Sequence, residues 1–322
     1  MRSRLLVLFC ISATVRPLMA SCGAASCPLD LNALNRPAAG HFAAELSFEY
    51  IDQDQPRVGT RAVAVGAVPA EHDQVRTINR GASLLLRYAA SDRLLFSATV
   101  PYVSHSHLRI EGGRPERWNL SGVGDVTLQM RGRIAEFDSI RRTALWGFAG
   151  VKLPAGAHDL TNPEGEIGEI PIQPGTGSTD AIVGLAFESG ILRQTSMRGA
   201  LGSVTLIPLF ATIQLRRNTT GAQNYRVGNE LQLNAGTVYP LRDRTQLLLQ
   251  ANAKVRGRDT SADLEDHLFT GGRYLFLSPG LRFDAGHGAA WYAMLQVPLY
   301  QHVNGIQLTA KRNLVTGVQM RF

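Results

Sequence analysis

From residue 40 onward, apolar and polar positions alternate with a period of two, the pattern of strands with one apolar and one polar face. The C-terminus is the clearest case. Leu314, Thr316, Val318, Met320 and Phe322 fall on one face, and Asn313, Val315, Gly317, Gln319 and Arg321 on the other. Val126, Leu128 and Met130 alternate with Thr127, Gln129, Arg131 and Arg133. Leu247, Leu249, Ala251, Ala253 and Val255 alternate with Gln246, Gln250, Asn252, Lys254 and Arg256. Phe42, Ala44, Leu46, Phe48 and Tyr50 alternate with Glu45, Ser47 and Glu49. The pattern predicts twelve strands, at 41–51, 76–90, 93–104, 118–134, 142–153, 179–188, 200–216, 225–239, 244–256, 270–283, 289–302 and 308–322. Their lengths suit strands tilted across a bilayer, which need about 9–11 residues.

Local alternation does not separate a soluble sandwich from a membrane barrel, because either has one apolar face. The connections do. Long ones (52–75, 105–117, 154–178, 217–224, 257–269) alternate with short ones (91–92, 135–141, 240–243, 284–288). Only 189–199 and 303–307 break the rhythm. Loops segregated by length fit an all-β, transmembrane antiparallel barrel of about twelve strands, apolar outside and polar within, with both termini periplasmic. Pro101, Pro208, Pro279 and Pro298 fall inside these strands. Each removes a ladder hydrogen bond and should mark a bulge or a strand end.

Composition narrows the picture further. Charged residues make up 18% of the 322 positions, below the usual ~25%, while 32 are glycine. No stretch after residue 20 approaches the ~18 apolar residues of a spanning helix. The net charge of +7 includes Arg2, Arg4 and Arg16, and no basic run interleaved with aromatics follows, so nucleic acid is not a partner. Residues 1–21 read as a signal peptide, with Arg2 and Arg4 before the apolar run Leu5–Val15. Residues 22–40 form a short periplasmic segment carrying Cys22 and Cys27, and 41–322 form the barrel. The two cysteines are expected to pair as a disulfide; a lipid anchor on Cys22 and a thiolate metal site are the alternatives.

Three segments carry a resemblance: Glu49–Gln55, Trp118–Val126 with its Gly122-Val123-Gly124-Asp125, and Val151-Lys152-Leu153-Pro154 followed by Pro174-Gly175-Thr176-Gly177-Ser178-Thr179-Asp180. Together they resemble the bacterial outer-membrane transporter family related to the phenol meta-cleavage-pathway (MetA-like) barrels. The resemblance implies a porin-like or FadL-type barrel and a hydrophobic or aromatic cargo. It supplies no binding residues, and the chain lacks an obvious N-terminal plug.

The chemistry on offer is modest. Converging imidazoles and carboxylates bind divalent metals, and the candidate set here is His105 and His107 with His72 or Asp73 from the neighbouring strand. No His-x-Ser of the outer-membrane phospholipase type occurs, and no phosphate-loop context surrounds the Gly-x-Gly pairs, so an enzyme is not expected. No other cofactor is implied. The polar face carries Glu45, Glu49, Arg131, Arg133, Glu230, Lys254 and Arg256, which would set the selectivity of a narrow path. The expected function is passive uptake of a small solute through a barrel solvated by outer-membrane lipid. The alternative is a barrel-anchored surface or metal-handling protein working through its histidine-bearing loops.

Overall fold

The structure, a computed structural model, describes residues 21–22, 27, 29, 36–68, 72–197, 200–261 and 269–322. Apart from Ser21, the expected signal peptide lies outside the described residues. Among the described residues, twelve strands of ten residues or more carry the fold: β1 (Phe42–Gly59), β2 (His72–Ser91), β3 (Leu94–Glu111), β4 (Arg114–Val123), β5 (Val126–Asp138), β6 (Thr143–Leu153), β7 (Asp180–Met197), β8 (Ala200–Arg217), β9 (Glu230–Arg242), β10 (Thr245–Arg256), β11 (Gly272–Gly286) and β12 (Ala289–Arg321). Eleven close into an antiparallel ring, β1-β2-β3-β5-β6-β7-β8-β9-β10-β11-β12 and back to β1. β4 pairs with the far half of β3, in line with β5. Closure leaves no open sheet edge for lipid to meet.

The expected count of about twelve separate strands is therefore corrected to eleven ring elements. The last two expected strands run on as one, β12, of 33 residues. At ~3.3 Å per residue such a strand would span about 110 Å if straight. Instead it folds back at Gly305, whose φ of +64° suits glycine. Its first leg pairs with β11 and its second with β1. Across the fold, Gln301 Nε2 donates to the Ala310 carbonyl at 3.0 Å and Thr316 Oγ1 to the Tyr292 carbonyl at 2.8 Å.

Alternation sorts the faces as expected. Phe42, Leu46, Phe48, Tyr50, Leu128, Met130, Leu314, Val318 and Met320 all point outward and are exposed, whereas Glu45, Asn252, Gln296, Asn313 and Gln319 point inward and are buried. A soluble protein does not present such an apolar outer wall to water; lipid accommodates it. On β1 the outward face changes character after Tyr50. Asp52 and Asp54 follow, bonded to Arg76 at 2.8 Å and to Lys311 at 3.0 Å, so the apolar band ends there.

The prolines sit where ladders break. Gly124 N donates to the Pro101 carbonyl at 2.8 Å, where pairing passes from β5 to β4. The register slips beside Pro298, the β11–β12 ladder skips Pro279, and the β8–β9 ladder begins just after Pro208. Two connection lengths are corrected. The expected loop 105–117 is a β3–β4 hairpin whose tip is Gly112–Gly113, both at positive φ. Segment 189–199 belongs largely to the β7–β8 ladder, which continues to Met197 and Ala200. In both places strands rise past the apolar band, where polar residues on either face mask the alternation.

The ends of the barrel lie together. Phe322 N donates to the Phe42 carbonyl at 2.9 Å. The turns between β2 and β3, β5 and β6, β9 and β10, and β11 and β12 are at this end, and the long connections are at the other.

Candidate functional site

The inward side chains of β1, β2, β3, β5, β6, β8, β9 and β12, with Cys27 and Leu29, line a cavity of about 470 Å³. Thr127, Gln129, Thr212, Gln214, Gln232 and Asn234 give it hydroxyls and amides; Leu85, Leu95 and Phe148 give it apolar surface. Four charged side chains line it: Glu45, Glu49, Arg131 and Arg216. Glu45 is held by Arg87 at 3.2 Å, by the Tyr292 hydroxyl at 2.8 Å and by Gln319 at 3.1 Å. Three donors on a buried carboxylate offset its desolvation and fix it in place.

Arg131 is bound to Glu188 at 2.7 Å. The same carboxylate receives both Arg36 bonds, at 2.7 and 2.8 Å. Trp146 lies beneath this cluster, its ring centre 4.1 Å from the Arg36 guanidinium and 5.2 Å from that of Arg131. Cation–π attraction is strongest over indole, so Trp146 helps tolerate two arginines on one glutamate. Arg133 is turned instead to the short-turn rim, bonded to Asp92 and Glu136, each at 2.8 Å.

Arg36 belongs to the N-terminal segment, whose described residues run through the barrel. Ser21–Cys22 pairs in parallel with Gln307–Leu308, near the long-loop end. Cys27 is buried against Tyr274, Phe276 and Val303, and its carbonyl accepts from Gln296 at 2.6 Å. Leu29 packs on Val238, Leu248, Tyr292 and Met294. Arg36 then meets Glu188, and Gly40 N donates to the Ala89 carbonyl at the short-turn end. The sequence offers no obvious N-terminal plug, yet Cys27, Leu29 and Arg36 lie inside the ring. A segment of this composition carries no strand periodicity, and the place of its described residues inside is set by inward residues of distant strands. Cys27 has a free, buried thiol, and the Cys22 side chain lies outside the described residues, as does the disulfide expected between them.

At the long-loop end two of the three segments that carried the family resemblance, those around Asp125 and around Lys152 and Thr176–Asp180, converge. Lys152 Nζ bonds Asp125 at 2.6 Å, Asp180 at 2.9 Å and Ser178 Oγ at 3.0 Å, and also meets Thr176 Oγ1. Asp125 in turn accepts from the backbone of Gly156 at 3.1 Å and of Thr176 at 3.0 Å. The loop 154–179 is thus tied at both feet to one buried lysine. Glycine is required at this closure. A Cβ on Gly156 would lie 2.7 Å from backbone atoms of both Gly124 and Gly175. Farther along the loop, Ile170 and Ile172 are buried, Ile172 against Trp118 and Leu120, and Glu169 bonds Arg109 at 2.8 Å. A second knot joins the next two loops. Asp259 binds Arg256 at 2.6 Å and accepts from Gly228 N at 2.7 Å and from the Tyr225 hydroxyl. Burial and the Asp259 carboxylate push that hydroxyl well above the ordinary tyrosine range.

The expected interior residues therefore divide. Glu45, Glu49 and Arg131 share the cavity. Glu230, Lys254 and Arg256 come together on β9 and β10, with Glu230 opposite Arg256 in register. Arg133 stands apart. The histidine set does not converge. His105 bonds Asn79 at 2.5 Å and His107 bonds Thr77 at 2.8 Å, while Asp73 stands opposite Ile110, nearer the strand end. The His72 side chain lies outside the described residues. Among the described residues no three His, Cys, Asp or Glu side chains form a group able to hold a metal. Arg216, Glu188 and Arg36 were missed. For the first two, their parity in the strand pattern was the available signal.

No family model matches the chain, and no curated protein matches it by sequence. Solved structures do match. The COG4313 outer membrane channel from Pseudomonas putida F1 superposes with a TM-score of 0.62 at 12% identity, over 92% of this chain and all of that one. The NanC porin gives a TM-score of 0.48 at 7% identity, over 87% of this chain and all of that one. The Pseudomonas putida toluene transporter TodX gives 0.37 at 11% identity, over 95% of this chain and 99% of that one. At these identities the likeness speaks for the fold alone: the chain shares the closed β-barrel of the COG4313 channel.

Proposed function

We propose that the protein sits in the bacterial outer membrane and mediates passive uptake of a small solute. The carrying observation is the inverted wall: apolar side chains face out, and a polar cavity of about 470 Å³ lies within the ring. Nothing in this arrangement needs an energy source; a solute moves down its gradient past fixed dipoles and charges. Cys27 and Leu29 of the N-terminal segment and the loop 154–179 narrow the route, so the path suits compact solutes rather than bulk flow. Both termini would face the periplasm, with the short turns, and the long loops the exterior. The fold likeness to the COG4313 channel supports this reading, and the MetA-like resemblance makes a small aromatic cargo the first one to try. The test is refolded protein in planar bilayers and in liposome swelling assays. Swelling with small neutral solutes, falling off steeply with solute size, is expected. A folded barrel that passes no solute of any kind would overturn the proposal.

A further inference from the structure

We infer that the interior cavity is a binding site for a compact organic anion, whose carboxylate is held by Arg216; this rests on the uptake reading above. Four charged side chains line the cavity, and three are already engaged. Glu45 has its three donors, Arg131 has Glu188, and Glu49 is also partnered. Arg216 alone of the four has no hydrogen bond or ion pair to any described residue, and its Nε is buried without a partner. Its nearest electrostatic counterpart is Glu230, directly opposite on β9. Glu230 faces Lys254 and Arg256 as well, and accepts a bond from Gln232 at 3.0 Å. Glu230 thus stands among three cations, and Arg256 also binds a second acid, Asp259.

A guanidinium with open donors in such a place binds a carboxylate through a fork of two bonds. Gln214 and Gln232 flank Arg216 on the same wall and can donate to the same oxygens. Opposite, Leu85, Leu95 and Phe148 offer apolar surface to the body of the ligand. The class this describes is a monocarboxylate on a small apolar or aromatic body.

The probe is benzoate, with benzyl alcohol as its neutral counterpart. Equilibrium binding to the full mature protein refolded in detergent should favour benzoate by at least about tenfold. R216Q should remove that preference, and R216K, which keeps the charge but loses the fork, should retain part of it. Both variants are first checked for a folded, heat-modifiable barrel. Equal binding of benzoate and benzyl alcohol by the wild type, or an undiminished preference in R216Q, would overturn the inference. Liposome swelling with neutral solutes separates this from the uptake reading: swelling without benzoate preference sinks the site alone. Benzoate preference without any solute passage sinks the channel and keeps the site.

Discussion

Lys152 offers the most informative perturbation. It is 8% exposed at the side chain and stands between Asp125 and Asp180, 6% and 3% exposed. Lys152→Met keeps the length of the side chain and removes its charge. Two carboxylates then share a buried site with no cation. Breaking a buried pair in this way costs about 3–5 kcal/mol. The ring does not need to pay that cost, because its ladders are untouched and the loop 154–179 can lift to hydrate both acids. At about 1.4 kcal/mol per factor of ten, the lifted form should gain roughly a hundred- to several-thousand-fold. The amides of Gly156 and Thr176, which donate to Asp125, report it directly. Their hydrogen exchange should speed up by a similar factor while strand amides stay protected, and single-channel conductance should rise. Removing the acids too, with Asp125→Asn and Asp180→Asn in the same chain, should restore part of the protection, since no charge is then stranded. Wild-type exchange at those two amides in a folded K152M barrel would refute the reasoning.

Other consequences follow from the same geometry. Gly156→Ala places a Cβ about 2.7 Å from two backbone segments, so it should free the same loop, read by the same exchange experiment, even though every charge is retained. Arg36→Ala removes both hydrogen bonds to Glu188 but leaves Arg131 on it, so the barrel should stay intact while conductance rises a few-fold; unchanged conductance would show that the N-terminal segment is not held there. The Tyr225 hydroxyl has its pKa raised by burial and by Asp259, so its contribution is fully present below about pH 10, the ordinary tyrosine value, and is lost as pH rises through the higher folded value. Exchange in loop 218–229 should accordingly stay flat from pH 7 to 9, after correction for intrinsic rate, and Tyr225→Phe should raise it throughout.

The sequence by itself determined the wall. A period of two is a purely local property, so Leu314, Val318 and Met320 could be placed outward and Asn313 and Gln319 inward before any strand had a neighbour. Loop lengths added the membrane, and the prolines marked the ladder breaks. The interior was another matter. Whether Arg131 lies free in a path or is clamped depends on Glu188 of β7 and on Arg36, neither of which is near it in the chain. His105 and His107 share a strand face as the spacing requires, yet each is taken up by a side chain of β2. The segments of the family resemblance announced a barrel, and only closure showed that their lysine and aspartates tie one loop across its mouth. Partners on a strand face are decided by register, curvature and what the chain threads through the ring. These are long-range choices, and alternation along one strand carries no record of them.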